Sequence, residues 1–100
     1  MRRGTTPIHE FGIPFDKSSI KSVKVIYAQK GEIVFCKNTP DCGIEDGKIT
    51  IRLSQEDTLK LDCGAFVYIQ LKILTKDNEV LVSDVIKASV DECLDNEVIV

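Results

Sequence analysis

The sequence predicts an all-β protein, an immunoglobulin-like β-sandwich of about six or seven antiparallel strands. Two observations lead to this prediction: polar and apolar residues alternate with a period of two along most of the chain, and turn residues recur roughly every ten residues. A length of 100 residues with a hydrophobic fraction of 43% suits one core, so a single domain is expected over residues 1–100. An open barrel is the alternative. The Cys–Trp–Cys core of antibody domains is absent, because the chain contains no Trp.

The first predicted strand lies in residues 5–15, TTPIHEFGIPF. Pro7 and Pro14 lack a backbone N–H, which confines this segment to a sheet edge or a strand end. Alternation gives it one face made of His9, Phe11, Ile13 and Phe15. A long edge strand with an apolar face can pair with a strand of another protein. The predicted partner contacts are therefore Ile8, Phe11, Ile13 and Phe15.

Two β-hairpins are predicted next along the chain. In the first, over residues 22–37, the segments SVKVIYAQ and IVFCK are joined by the turn QKGE. In the second, CGIEDGKITIRLS, the pair Asp46-Gly47 forms the turn, because Asp-Gly is among the strongest short turn signals. The side chains expected to point inward are Val23, Val25 and Tyr27 in the first hairpin and Ile49, Ile51 and Leu53 in the second.

One short helical turn is predicted near residues 54–60. Ser54 precedes Asp57 by three residues, which imitates a capping box with Asp in place of Glu or Gln. A helix of this length is not stable by itself, because the first turn costs more conformational entropy than its few hydrogen bonds return. We therefore expect it to depend on packing against the sheets.

The longest strands are predicted in AFVYIQLKILT and EVLVSDVIKASV, joined by a polar turn at residues 76–78. The buried stripe of the first comprises Val67, Ile69, Leu71 and Ile73. In the second, the alternation changes parity near Ser83 and Asp84, which indicates a bulge or a strand that changes sheets. The segment DECLDNEVIV is acidic and then apolar, and it either docks as a strand or stays unattached.

Charge is unevenly distributed along the chain. Residues 1–30 contain six Lys and Arg and two acids, whereas residues 76–100 contain two Lys and seven acids. Opposite charges at the two ends would allow neighbouring copies to associate as a homo-oligomer. The alternative is that two solvated ends simply differ in charge.

Composition also limits which partners and which cellular compartment are expected. A net charge of −3 does not suit a phosphate-binding surface, and six aromatic residues without Trp offer few stacking platforms, so no nucleic acid is expected. No apolar run approaches the roughly 20 residues of a membrane helix, so no membrane is expected. Polar residues follow the basic start MRRG where a signal peptide would be apolar. The expected location is the cytoplasm of a cell, where cysteines stay reduced.

The four cysteines do not predict a metal site. Structural zinc sites take ligand pairs two to four residues apart, whereas the stretch CKNTPDCG separates Cys36 from Cys42 by five residues. Cys63, Cys93 and the single histidine, His9, lie far away in sequence. A Cys36–Cys42 disulfide is conceivable across the turn, but a reducing compartment disfavours it. We expect Cys36 and Cys63 in the core, and Cys42 and Cys93 partly exposed.

No catalytic constellation is predicted either. His9 is expected to be a half-buried structural residue, because no local signature supports a Cys–His pair. The acidic pairs at residues 45–46 and 56–57 lie in a turn and at a helix start, where carboxylates are favoured for backbone reasons. The sequence therefore predicts a protein that is not an enzyme and that binds no cofactor.

Six segments distributed from Met1 to Val98 carry a resemblance: MRRGTTP, FGIPFD, VIYAQ, LSQEDTL, IQLKILT and ASVDECLDNEV. In these segments the chain resembles a family of small uncharacterised proteins that tailed phages and prophages of gut Firmicutes encode among their virion morphogenesis genes. The resemblance implies a non-catalytic virion structural or assembly module, associated with a tail or baseplate. Its implied partners are other phage structural proteins, and its implied location extends from the host cytoplasm to the virion. It transfers no catalytic residue.

Two other functions stay open at this stage. A small module that binds carbohydrate or a cell-surface polymer would use Tyr27, Phe66 and Tyr68, although it would lack Trp. Two or three exposed aromatic residues on one face would favour it. An enzyme, or a metal- or redox-dependent regulator, would use the cysteines, although their spacing is poor. Three sulfurs converging on one point would favour that function.

Overall fold

The computed structural model describes residues 1–100 and contains eight strands, one α-helix and two single-turn 3-10 helices. None of its helices has the length and apolar character needed to cross a membrane. The helix α1 spans Gln55–Leu59, and the 3-10 turns span Lys17–Ser19 and Thr39–Asp41. The strands are β1 (Ile8–Gly12), β2 (Ile20–Gln29), β3 (Glu32–Asn38), β4 (Cys42–Glu45), β5 (Lys48–Arg52), β6 (Val67–Thr75), β7 (Val80–Val82) and β8 (Ile86–Ala88).

The strands form two antiparallel sheets, which confirms the predicted all-β sandwich. One sheet has the order β1-β5-β4. The other has the order β3-β2-β6-β7, with β8 also paired to β6. The connections β1 to β2, β3 to β4 and β5 to β6 cross from one sheet to the other. The strand count is eight rather than six or seven, because the last predicted strand is divided in two.

The core lies between the sheets and is built from the faces that alternation predicted. Every inward residue expected in the two hairpins and along the stripe of β6 is buried. The smaller sheet contributes Phe11, Ile49, Ile51 and Leu53, and the larger contributes Ile20, Val23, Val25, Tyr27, Val67, Ile69, Leu71 and Ile73. Leu61 and Val90, which lie outside the strands, complete this cluster.

The hairpin between β2 and β3 closes through Lys30 and Gly31, and both have positive φ values, 53° and 79°. Two consecutive residues with positive φ match the twist of the flanking strands, as in a type I′ turn. Gly31 adopts this conformation without cost, whereas Lys30 is strained by its Cβ. The hairpin was predicted over residues 22–37, and its existence is confirmed.

The helix α1 begins at a reciprocal cap, as predicted. The Ser54 hydroxyl accepts the N–H of Asp57 at 3.1 Å, and the Asp57 carboxylate accepts the N–H of Ser54 at 2.9 Å. The hydroxyl of buried Thr58 also donates to the carbonyl of Thr5 at 2.9 Å. These contacts let a helix of five residues persist although it is too short to form alone.

The segment from residue 79 to 90 was predicted as one long strand with a bulge or a change of sheet near Ser83 and Asp84, and its pairing with β6 shifts by one residue between Val82 and Ile86. It forms β7 and β8, three residues each, and both stay beside β6, so no strand changes sheets here. The break lies at Ser83, whose hydroxyl accepts the N–H of Leu71 at 2.9 Å. The Ser83 hydroxyl thus accepts the hydrogen bond that the Ser83 carbonyl would accept in a regular strand, and the β6–β7 ladder ends at this point. The longest strand is instead β2, with ten residues.

Residues 91–100 dock against the beginning of the chain without forming a strand. Asp91 forms an isolated parallel bridge with Arg2, and its N–H donates to the carbonyl of Met1 at 2.7 Å. The side chain of Gln55 binds both backbone groups of Ile99. Its Oε1 accepts the N–H at 2.8 Å, and its Nε2 donates to the carbonyl at 2.9 Å. The basic and acidic ends therefore lie together within one chain, through hydrogen bonds rather than ion pairs.

Gln29 joins the end of β2 to the loop between α1 and β6. This residue is 4% exposed, and its amide donates to the carbonyls of Asp62 and Ala65 at 2.9 and 3.3 Å. Its carbonyl accepts the N–H of Asp62 at 2.8 Å. Three bonds from one side chain thus satisfy backbone groups of a loop that has no strand partner.

Replacing the strained turn residue should stabilise the protein. We expect Lys30→Asn to raise the free energy of unfolding by about 0.5 kcal/mol, because Asn tolerates positive φ better than Lys. The substitution also removes the Lys30–Asp62 ion pair, whose side chains are both 66% exposed and which is worth at most a few tenths of a kcal/mol. Urea denaturation measures the change. Lys30→Gln is the control, which loses the ion pair and keeps the strain, and equal effects of the two variants would contradict the expectation.

Removing the Gln29 bonds should destabilise the protein markedly. We expect Gln29→Met to lower the free energy of unfolding by about 2 kcal/mol, because a side chain of similar shape leaves three backbone groups without partners. The matched control is Gln70→Met, which removes a single bond, from Nε2 to the carbonyl of Ser83, and should cost less than about 1 kcal/mol. Urea denaturation compares the two variants, and a smaller cost for Gln29→Met would overturn this account.

Candidate functional site

The residues predicted to contact a partner lie on and just after β1, and most of them face the core. Phe11 is 7% exposed and belongs to the buried cluster. Ile13 and Phe15 pack against that cluster, while Ile8 is half exposed. The apolar face of β1 is turned toward the opposing sheet, so Phe11 is occupied by the protein's own core. A partner at this strand would meet Ile8 and the backbone, and that contact stays a prediction.

The strand β1 lies at the edge of its sheet, as its prolines predicted, and pairs only with β5. The odd-numbered residues of this segment form the backbone hydrogen bonds to the β5 segment. The carbonyl of Pro7 accepts the N–H of Leu53, and the N–H of Ile13 donates to the carbonyl of Gly47. The N–H and C=O groups of Ile8, Glu10 and Gly12 therefore point away from β5. This open edge is short, five residues against nine in β6.

An interior polar cluster lies where the two sheets meet. Tyr27 on β2 is fully buried, and its hydroxyl lies 2.8 Å from Nδ1 of His9 on β1. The Tyr27 ring stacks on Phe35 with centroids 4.6 Å apart. Burial raises the pKa of Tyr27 and lowers the pKa of His9. Both shifts favour the neutral forms, a protonated phenol hydrogen-bonded to a neutral imidazole.

Cys42 belongs to the same region of the core but lacks the properties of a nucleophile. Its Sγ donates to the carbonyl of Asn38 at 3.2 Å. Burial, with a smaller effect of nearby Asp41, raises the pKa of Cys42 to about 11. A reactive cysteine needs a lowered pKa and a protonated base beside it. The shifts of Cys42 and His9 both favour the neutral forms, which is the opposite of an activated Cys–His pair.

Lys37 and Asp57 form the tightest ion pair of the chain. Nζ of Lys37 on β3 lies 2.7 Å from Oδ2 of Asp57 on α1, and both side chains are mostly buried. Burial alone would raise the pKa of Asp57, but the Lys37 ammonium and the hydrogen bonds from Ser54 outweigh it and hold this pKa below its usual value. The pair fixes α1 against the edge of the larger sheet. The polar groups of the interior are thus engaged in structural bonds.

All four cysteines are free thiols, as predicted, and the prediction of burial is confirmed for Cys42 and Cys93 but wrong for Cys36 and Cys63. Cys63 is exposed, in the loop before β6, and Cys36 is only half-buried, because it points to the outer face of β3. Cys42 and Cys93 are half-buried. No three His, Cys, Asp or Glu side chains converge in a way that would hold a metal ion.

The outer face of the larger sheet carries the most distinctive surface. The odd-numbered residues of β6 are buried, so its even-numbered residues and their neighbours on β2, β7 and β8 face outward. Val80 and Val82 on β7 are 59% and 51% exposed. We call this surface the outer face; it comprises Ser22, Lys24, Ile26, Ala28, Ile33, Cys36, Asn38, Phe66, Tyr68, Gln70, Lys72, Leu74, Val80, Val82 and Lys87.

All the charges of the outer face are positive. Lys24 and Lys72 lie directly opposite one another on β2 and β6, and neither forms an ion pair. Like charges in this position repel. Lys87 places Nζ 4.0 Å from the centroid of the Phe66 ring and has no acidic partner either. Asp84, which is exposed two residues after Val82, is the acidic residue next to this face, and it forms no ion pair with these lysines.

A shallow hollow of about 340 Å³ crosses the outer face beside the lysine pair. Its walls come from β2, β3, β6 and β7, so it extends across the full width of the larger sheet at the end where β7 lies. Apolar side chains and the two lysines line it together. The lining residues are Ser22, Val23, Lys24, Asn38, Thr39, Pro40, Lys72, Ile73, Leu74 and Val80.

Sequence reasoning missed the outer face, although a signal for it was present. Alternation separated Leu74 and Tyr68 from the buried stripe of β6, so both were expected to face outward. The decisive fact was the neighbour relation between β2, β6 and β7, which joins scattered residues into one surface. Strand order of this kind depends on distant pairing, such as that of Lys24 with Lys72.

The Lys37–Asp57 pair predicts how stability depends on pH. The folded state lowers the pKa of Asp57 below its unfolded value, so the pair stabilises the protein above about pH 4 and loses its effect as the pH falls through the lower, folded pKa. We expect Asp57→Asn to lower the free energy of unfolding by about 2 kcal/mol at pH 7, because it leaves the Lys37 ammonium mostly buried and unpaired. The difference should shrink below pH 4. Urea denaturation at pH 7 and pH 3 measures both values.

The matched control for this experiment is Glu56→Gln, which lies on the same helix turn, is exposed and forms no ion pair. It should change the free energy of unfolding by less than about 0.5 kcal/mol at either pH. An Asp57→Asn deficit that is as large at pH 3 as at pH 7 would contradict the role assigned to the carboxylate charge.

Comparison of the chain with known proteins finds no matching family model, no matching curated protein and no matching solved structure.

Proposed function

We propose that this protein is a non-catalytic structural or assembly module of a phage or prophage virion, associated with a tail or baseplate, and that it acts through protein–protein contacts. The resemblance of its segments to phage morphogenesis proteins supports the biological setting. The observation that carries the molecular part of the proposal is the outer face, where exposed apolar side chains surround unpaired lysines.

The chemistry of the outer face favours a protein as its partner. Burial of apolar surface contributes roughly 25 cal/mol per Å² before the entropy cost of association is subtracted, and Val80, Val82 and Phe66 all expose about half of their surface. The unpaired lysines would gain carboxylates from a partner that carries them. Apolar contacts with charged residues at defined positions give both affinity and a fixed orientation.

The interior of the protein supports a role without catalysis. The Tyr27 hydroxyl and His9 bond each other across the sheets, and Lys37 and Asp57 bond each other between β3 and α1. These groups hold the two sheets and the helix in position. In the proposed role, the sandwich is a rigid support, and its partners are other structural proteins that meet it in the host cell and then in the virion.

A second candidate is a module that binds carbohydrate or a cell-surface polymer, and one observation favours it. Phe66 and Tyr68 are both exposed on the outer face, 48% and 40%. Tyr27, also expected to line such a site, is fully buried and takes no part. Lys87 covers one face of the Phe66 ring at 4.0 Å, which leaves Tyr68 as the open aromatic platform. This candidate therefore ranks below a protein partner.

The proposed function predicts a loss of particles when the outer face is changed. In the phage that encodes this chain, Val80→Ser/Val82→Ser should reduce the yield of infectious particles at least tenfold, because it makes an exposed apolar contact polar without touching the core. Mass spectrometry should find the wild-type chain in purified particles or in assembly intermediates. Glu32→Gln, an exposed change on the edge strand β3, is the control and should leave the yield unchanged.

The result that would overturn the proposal is a normal yield of normally shaped particles after deletion of the coding sequence. Normal particles from that deletion, combined with wild-type protein that sediments with purified host cell wall and loses this binding in Tyr68→Ala, would establish the carbohydrate-binding alternative instead.

A further inference from the structure

Residues 91–100 form a surface that complements the outer face. Four carboxylates, those of Asp91, Glu92, Asp95 and Glu97, lie in this segment, and none of them forms an ion pair within the chain. Leu94, Ile99 and Val100 are almost completely exposed. We call these residues the acidic segment. It combines uncompensated negative charge with exposed apolar side chains.

The two arginines next to the acidic segment form hydrogen bonds with it but no ion pair. Nη1 of Arg2 donates to the carbonyl of Glu92 at 2.7 Å, and Nη1 of Arg3 donates to the side-chain oxygen of Asn96 at 3.2 Å. Nη2 of Arg3 donates to the carbonyl of Leu59 at 2.9 Å. These bonds hold the backbone of the segment and leave its carboxylates available to another molecule.

The acidic segment is also held in place at both ends. Asp91 is bound to the first residues of the chain, and Ile99 is bound through both backbone groups to Gln55. The Asp95 carboxylate accepts the N–H of Glu97 at 2.9 Å, which turns the chain between these points. A segment that is already ordered loses less conformational entropy on binding than a mobile one.

We propose that the acidic segment of one copy docks on the outer face of a second copy, so that the protein assembles head to tail. This inference rests on the proposed function, because it names the partner of the same outer face. The carboxylates meet Lys24, Lys72 and Lys87, and the exposed apolar residues of the segment cover Val80 and Val82. Within one chain the segment contacts residues 1–3 and Gln55 instead, and no hydrogen bond or ion pair joins it to the outer face.

Charge disfavours a dimer in which like surfaces face each other. Two outer faces packed against each other would bring lysines against lysines, and two acidic segments would bring carboxylates against carboxylates. A contact between unlike surfaces pairs opposite charges on every copy. Two copies that each dock the acidic segment on the other's outer face close a two-fold dimer, whereas a contact that is not returned continues into a ring or a filament.

The outer face is large enough to hold a folded segment of ten residues. The nine residues of β6 span about 30 Å, and the hollow beside Lys24 and Lys72 has walls from β2, β3, β6 and β7.

The test is the molar mass of the purified chain, measured by light scattering coupled to gel filtration at two concentrations and two salt levels. We expect a mass above the 11.1 kDa of one chain, increasing with protein concentration and decreasing at high salt. Lys24→Glu/Lys72→Glu and Asp95→Lys/Glu97→Lys should each raise the apparent dissociation constant at least tenfold. Mixing these two variants should restore assembly, because the unchanged surface of each variant complements the unchanged surface of the other and the two altered surfaces carry opposite charges. Combining all four substitutions in one chain should also restore assembly, because the charges are then exchanged on both surfaces.

The control is Lys17→Glu/Lys76→Glu, which changes the net charge by the same amount at exposed positions away from both surfaces and should assemble normally. Circular dichroism verifies that each variant is folded. The place at which the two copies meet is tested by cross-linking with a short bismaleimide. Cys42→Ser and Cys63→Ser leave two cysteines, Cys36 on the outer face and Cys93 in the acidic segment. We expect Cys36–Cys93 cross-links between copies.

Three results would overturn the inference: a wild-type chain of 11.1 kDa under all conditions, assembly that the lysine variant leaves unchanged, or cross-links only between two Cys93 residues. None of them bears on the yield of phage particles, so the proposed function can stand while head-to-tail assembly fails. Conversely, the purified protein could assemble in solution while deletion of its coding sequence leaves the phage particles normal. That pair of results would support self-association and overturn the proposed role in the virion.

Discussion

The hydrogen bond between Tyr27 and His9 constrains much of this structure. A phenol that is fully buried must have a partner for its hydroxyl, and the partner lies on the other sheet, 2.8 Å away on β1. The bond therefore joins the two sheets at His9, which lies opposite Ile51 on β5. Alternation turns Phe11 to the same side of β1 as His9, and Phe11 lies opposite Ile49 in the core. The polar contact and the apolar packing thus agree on which face of β1 is turned inward.

Much of the fold could be predicted from the sequence, because its strongest determinants are local. Val67, Ile69, Leu71 and Ile73 are buried simply because alternate residues of a strand share a face. The cap of α1 is equally local, since Ser54 and Asp57 need only each other. The change of parity located the irregularity near Ser83 and Asp84, but its cause could not be predicted, because a hydroxyl can replace a backbone carbonyl only when the neighbouring strand is present, and that strand begins sixteen residues earlier in the chain.

The candidate site was less predictable than the fold, and the reason is physical. The prediction for β1 treated an apolar face at a sheet edge as available, whereas Phe11 was needed to close the core of a small protein with little surplus apolar surface. The outer face could be recognised only after Lys24, Lys72 and Val82 were known to be neighbours across three strands. Alternation assigns a residue to one side of its own strand, but the composition of a surface depends on the order of the strands.

The divided edge formed by β7 and β8 has a consequence for how safely the protein can expose apolar residues. An uninterrupted edge strand with outward valines is a template on which further strands add without limit, as in fibrils. Here the edge is cut into two strands of three residues by Ser83 and its neighbours. Neither piece offers enough consecutive backbone groups to nucleate such growth, so at this edge association through side chains is favoured over association through the backbone. The serine that interrupts one ladder of hydrogen bonds thereby protects this edge from misassembly, whereas the opposite edge of the sheet, β3, is an unbroken strand of seven residues.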